Sequence, residues 1–170
     1  RRFEEWLFLH AAPVLLSEKT GELLALQAGE IGIGADEIPT LLHDTCSRWG
    51  VACRIFLQGE DRVKFLLFDH ARLDRVLAET PCCILSKNLG YTAPLKTDTF
   101  LDELASRWRS SGEIPHEIGI ALGYPLDDVL GFMGLCELDC KGTCGWRIYG
   151  CPREARRRSC LYHNARCRAL

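Results

Sequence analysis

Two runs rich in β-branched and aromatic residues, 51–57 and 63–68, are separated by little more than Gln58-Gly-Glu-Asp61. A gap that short leaves no room for a crossover helix, so the two runs must pair as an antiparallel hairpin. Elsewhere the apolar residues recur at helical intervals. The chain therefore reads as α+β, with several helices around a small, mainly antiparallel sheet built on that hairpin. At 170 residues and 47% hydrophobic, it is long enough to bury a real core, and one domain spanning residues 1–170 is expected.

The helices can be placed from their stripes and their punctuation. Phe3, Trp6, Leu7, His10 and Ala11 form one stripe of a first helix, which Pro13 is expected to end because the residue before a proline is pushed out of the α region. Residues 14–16 and 23–26 read as a short strand pair or as a strand and a helical turn, and 29–34 as a loop. Further helices are expected over 38–49 with Gly50 as cap, over 71–78, through 82–85 after Pro81, and from Asp98 as cap through Trp108. The helical corner 113–133 is the best-punctuated stretch. Pro115 suits the first turn of a helix, Gly123 suits the residue past its end, and Pro125 opens a second helix with Asp127 and Asp128 in its first turn. A Cys-rich loop at 134–145, a short strand at 146–149 and a C-terminal helix over 152–167 complete the chain. There are no internal repeats or low-complexity tracts.

Charge excludes some partners. The net charge is −2, but nine acidic residues fall between Asp98 and Asp139 and six arginines between Arg153 and Arg168. Packing of the basic end on the acidic corner is the favoured account. The alternative is an anionic partner for the basic end, and a protein partner through the acidic or Arg-rich surface is a further expectation. The corner has the rhythm of a helix-turn-helix, yet its second helix offers Leu126, Asp127, Asp128, Val129 and Leu130 where base-reading side chains belong, so nucleic acid is not the expected partner. No apolar run is long enough for a bilayer, and residues 1–6 do not read as a secretory leader. Ten irregularly spaced cysteines, with Cys82 and Cys83 adjacent, point to a reducing cytoplasm and not to a disulfide scaffold.

Three sets of residues could carry chemistry. Cys160, His163 and Cys167 lie at i, i+3 and i+7 on the last helix, and Cys140 and Cys144 could complete a closed site for zinc or iron. The competing readings are buried thiols acting as small hydrophobes and, less prominently, a redox pair. His116 and Glu117 could transfer protons, but neighbours on a helix point about 100° apart, and a charge in the first turn is favourable without any catalytic role. His10 and Tyr124 are the candidate cofactor-binding residues. A lone histidine in an apolar stripe can equally be a hydrogen-bonded core residue.

The run from Ile114-Pro-His-Glu-Ile-Gly to Gly123-Tyr-Pro-Leu-Asp-Asp-Val-Leu-Gly-Phe132 resembles the signature of an uncharacterised bacterial family, domain of unknown function 3793, found mainly in anaerobic Firmicutes. Leu9-His10-Ala-Ala-Pro13, Gly145-Trp-Arg-Ile-Tyr-Gly150 and the close Ala155, Tyr162, Cys167-Arg168 agree with it. The likeness covers nearly the whole chain. It implies a cytoplasmic single domain with no assigned reaction, and the positions matching its pattern are His10, His116, Glu117, Tyr124, Pro125 and Cys167. Cys136, Cys151 and Cys160 depart from it. Together these readings give a metal- or metal-cofactor-binding protein using the C-terminal cysteines as the first expectation. The alternatives are a small enzyme using His116 and Glu117, or a protein–protein interaction module.

Overall fold

The hairpin forms where the β-rich runs predict it. In the computed structural model, which describes residues 2–170, β2 (Ala52–Gln58) pairs antiparallel with β3 (Arg62–Phe68) through a bulge between Ile55 and Leu57. A third strand, β1 (Gly21–Gln27), pairs with the far edge of β3, giving the antiparallel order β1-β3-β2. The central strand is therefore paired on both edges, and Phe65, Leu66 and Leu67 are inaccessible to solvent. The α+β expectation is met: the chain combines helices with a small antiparallel sheet built on the hairpin.

By packing, the chain divides into two compact units. One contains the residues up to His70 together with 161–170, and the other contains 71–160. In the first, the sheet is covered by α1 (Arg2–Leu16), by the single turn α2 (Ala28–Ile31) and by α3 (Ile38–Trp49). Phe3, Leu7, Ala11 and Val14 of α1 and Ile38, Leu42 and Cys46 of α3 join Leu24, Leu26 and Phe65 in one core.

Three expectations for this unit are corrected. Helix α1 does not end at Pro13 but runs through it to Leu16. The missing N–H of Pro13 leaves the carbonyl of Leu9 without its helical donor, and Leu9 is exposed, so water can serve that oxygen. Residues 14–16 are accordingly helical, and β1 takes its partner from β3. The loop expected at 29–34 contains the turn α2, closed by Gly32 in the left-handed conformation.

The second unit is mostly helical: α4 (His70–Glu79, beginning at the boundary), α5 (Cys82–Leu89), α6 (Thr97–Ser111), α7 (Ile118–Ala121), α8 (Leu126–Phe132) and the first half of α9 (Pro152–Ala169). Between α8 and α9, the two-residue strands β4 (Gly142–Thr143) and β5 (Arg147–Ile148) form a small ribbon inside the Cys-rich connection. Lys96, not Asp98, caps α6, because Thr97 is drawn into the helix start by donating 2.6 Å to Asp74. The corner helix α7 is one turn that begins after Pro115, and Gly123 follows it at φ 77°. Of the arginines of α9, Arg157 and Arg158 pair with Glu154 on the same helix, Arg166 with Glu22 of β1, and Arg168 donates to the Leu16 carbonyl of α1. Arg158 alone among these reaches the corner, donating 3.1 Å to the Gly123 carbonyl. No described helix is long and apolar enough to cross a membrane.

Candidate functional site: an aromatic cleft at the helical corner

The site is built on Asp128. Proline at 125 starts α8, placing Asp128 in its first turn, and the carboxylate is 2% exposed. Its Oδ1 accepts from the backbone N–H of Tyr149 and of Gly150, both at 2.7 Å, and its Oδ2 accepts from Trp146 Nε1 at 2.8 Å. A buried carboxylate is tolerated when donors surround it, and three do here. The consequence is mechanical: one side chain ties the ribbon to α8 and fixes the plane of an indole.

Two glycines let the elements come this close. A Cβ on Gly131 would sit 2.5 Å from Tyr149 Cβ, and one on Gly150 would sit 2.7 Å from Asp127 Cβ. Gly119 plays the same part under the cleft, where a Cβ would come within 2.9 Å of Val129 Cγ2 and 3.2 Å of Tyr124 Cδ2.

With its plane fixed, Trp146 stacks on Tyr124 at 4.5 Å between centroids and 19° between planes. Opposite them, His116 meets Phe132 edge-on at 4.9 Å, and the Arg147 guanidinium lies 5.7 Å over the Phe132 ring. These rings enclose a cleft of about 320 Å³, floored by Ile118, Leu122 and Val129. Phe132 and Ile114 at its lip are 44% and 42% exposed, a large apolar surface to leave in water.

Glu117 turns away from this cleft. It is buried, Tyr91 donates to its Oε1 at 2.9 Å, and Arg107 Nε lies 2.8 Å from the same oxygen. The arginine contact is a close charge pair and not an aligned hydrogen bond. Burial, and then the charge of Glu117, push the Tyr91 hydroxyl well above its ordinary range, so it stays protonated and donates. His116 and Glu117 both border a second, more open depression of about 440 Å³, but Glu117 is committed there to Arg107 and Tyr91. Tyr124 lies in the cleft. His10, in the first unit, stacks on Trp6 at 4.1 Å and contacts its carbonyl through Nδ1 at 2.7 Å.

The five sulfur and imidazole donors do not form a centre. Among the described residues no three His, Cys, Asp or Glu side chains gather as a metal would require. His163 Nε2 and Cys167 Sγ are 3.4 Å apart on exposed turns of α9. Cys140 contacts the Gly142 carbonyl, and Cys160 is exposed. Cys144 is half-buried, and that burial, aided by the charge of Asp128, raises its thiol above the ordinary value and disfavours a thiolate ligand. Helical spacing brought His163 to Cys167, but nothing in the sequence specified where the 140–144 loop would lie.

A family model described as "Protein of unknown function (DUF3793)" matches residues 7–170. The chain belongs to that family. No curated protein and no solved structure matches this DUF3793 chain. The family match spans every residue of the cleft, including Asp128, Phe132, Trp146 and Arg147, which sequence reasoning had assigned only to helix ends or a strand. The available signal was the concentration of aromatic residues and glycines on the two sides of the Cys-rich connection.

Proposed function

We propose that this DUF3793 protein binds a small molecule with a flat apolar body and an anionic group, held in the cleft of the second unit. The observation that carries this is the cleft itself. Its volume falls at the lower end of the roughly 300–1,000 Å³ of ligand sites, and its lining is aromatic and aliphatic with few polar groups. The Tyr124–Trp146 stack and the Phe132 ring supply faces for a planar body, while Arg147 at the lip favours negative charge.

An enzymatic role would rest on His116 without Glu117, because His116 alone of the two faces the cleft. A metal role through Cys140, Cys144, Cys160, His163 and Cys167 would need those donors to be brought together, and zinc titration followed by chelation tests it directly.

The cleft is tested with 1-anilinonaphthalene-8-sulfonate, which has the required shape and charge, against its uncharged analogue N-phenyl-1-naphthylamine. Both should bind and perturb Trp146 fluorescence. Arg147→Gln should weaken the sulfonate about tenfold, equivalent to 1.4 kcal/mol, and leave the neutral analogue within about twofold. Failure of both probes to bind would overturn the reading. Equal loss of both in Arg147→Gln would remove the anionic part.

A further inference from the structure

The cleft and the open depression of about 440 Å³ share a wall, because Ile114, Pro115 and His116 border both. Beyond that wall the depression is bordered by Arg107, Ser110 and Ser111 of α6 and by Glu113 and Glu117. Where the cleft is lined by rings, this hollow is lined by charges and hydroxyls. A ligand that fills the cleft as far as Ile114 therefore has a chemically different hollow beside it.

The polar groups of the depression differ in what they have left to offer. The Ser110 hydroxyl donates 3.0 Å to the Ser106 carbonyl, and the Ser111 hydroxyl donates 3.1 Å to the Glu113 carbonyl. Each hydroxyl thus keeps a lone pair and has its proton engaged. Arg107 commits Nη1 to the Leu89 carbonyl at 2.9 Å and holds Nε against Glu117. Glu117 is the clearest case. Its side chain is 2% exposed, Tyr91 and Arg107 both address Oε1, and among the described residues no donor meets Oε2. A carboxylate oxygen so deeply set and without a donor is costly, and a donor brought from outside relieves that cost. Glu113, exposed at the rim, adds a second carboxylate, so two acids face one guanidinium. A protonated amine answers both features, since it carries positive charge and three donors with no acceptor.

We propose that the ligand of the cleft carries a protonated primary amine on a flexible arm, which rounds Ile114 and donates to Glu117 Oε2 in the depression. The inference rests on the cleft reading and adds to it the group that fills the neighbouring hollow. With an anionic group at Arg147, the ligand class narrows to aromatic ampholytes, a flat body bearing both an acid and an amine.

The probe is dansylcadaverine, a naphthalene whose pentyl arm ends in a primary ammonium, compared with its N-acetyl derivative, which keeps the body and the arm but has no charge. Dansyl fluorescence reads the binding of each. The amine should bind about tenfold more tightly than the amide. Glu117→Gln should weaken the amine alone and bring the two probes within about twofold. Where that buried substitution prevents folding, Ser110→Tyr takes its place: it is an exposed change that fills the depression, and it should erase the same preference while sparing the N-acetyl probe. Equal affinity of the two probes for the wild-type protein would overturn the amine assignment and leave the cleft standing. A preference that survives in folded Glu117→Gln or in Ser110→Tyr would overturn it as well. Failure of both probes to bind the wild-type protein would remove the cleft reading and this inference together.

Discussion

The two units spend their apolar residues differently. In the first, most of the central strand β3 is buried, and the Phe65 ring is wholly inaccessible. In the second, the Asp128 carboxylate joins α8 to the chain on either side of β5, and Phe132 and Ile114 remain partly in water. A closed sheet core uses apolar surface for stability. An open one surrenders some of that stability and keeps a surface on which a ligand can gain it. The first unit should therefore respond to core changes in its folding, and the second in its binding.

The sharpest way to break this contrast is to truncate one phenylalanine in each unit. Phe65→Ala should cost about 4 kcal/mol in urea unfolding, because it leaves a cavity in a sealed core. Phe132→Ala should change the unfolding free energy by no more than about 0.5 kcal/mol, as expected of an exposed site, while weakening the naphthalene probes. Equal destabilisation by both would end the distinction. Next in size is Asp128→Ala, which strands the N–H groups of Tyr149, Gly150 and Trp146 and should cost about 3 kcal/mol. Probe affinity should fall as well, since the indole loses its anchor; unchanged affinity would show that Trp146 is positioned by other contacts.

The smallest effect concerns acid. Arg157 first, and then Arg158, hold Glu154 down to about 2 from the ordinary 4.5. A depressed carboxyl adds stability that is present above the ordinary value and is lost as pH falls toward about 2. Because Glu154 is over a third exposed, solvent screens most of this contribution. Far-UV circular dichroism should show a slight loss of helix across that window in wild type and none attributable to this site in Glu154→Gln.

The hairpin, the helix over 38–49 with its glycine cap, and the two-part corner were legible because local rules decide them: short gaps, stripes, Gly and Pro. Pro13 was misread because a rule about one dipeptide was outweighed by the burial of Phe3, Leu7, Ala11 and Val14 along a continuous stripe. The cleft was legible only in part. Tyr124 and His116 stood out, but Asp128 looked like an ordinary first-turn acid, since its three donors lie some twenty residues further along the chain.

Asp128 holds the ribbon and aims Trp146 with the same two oxygen atoms, so binding preference cannot be tuned there without loosening the scaffold. Ile114, Phe132 and Arg147 stand at the mouth, outside that anchorage. Variation at those three positions could retune the site from one ligand to another while the hinge-pin beneath them stays unchanged, and a library confined to them is the economical place to search for altered selectivity.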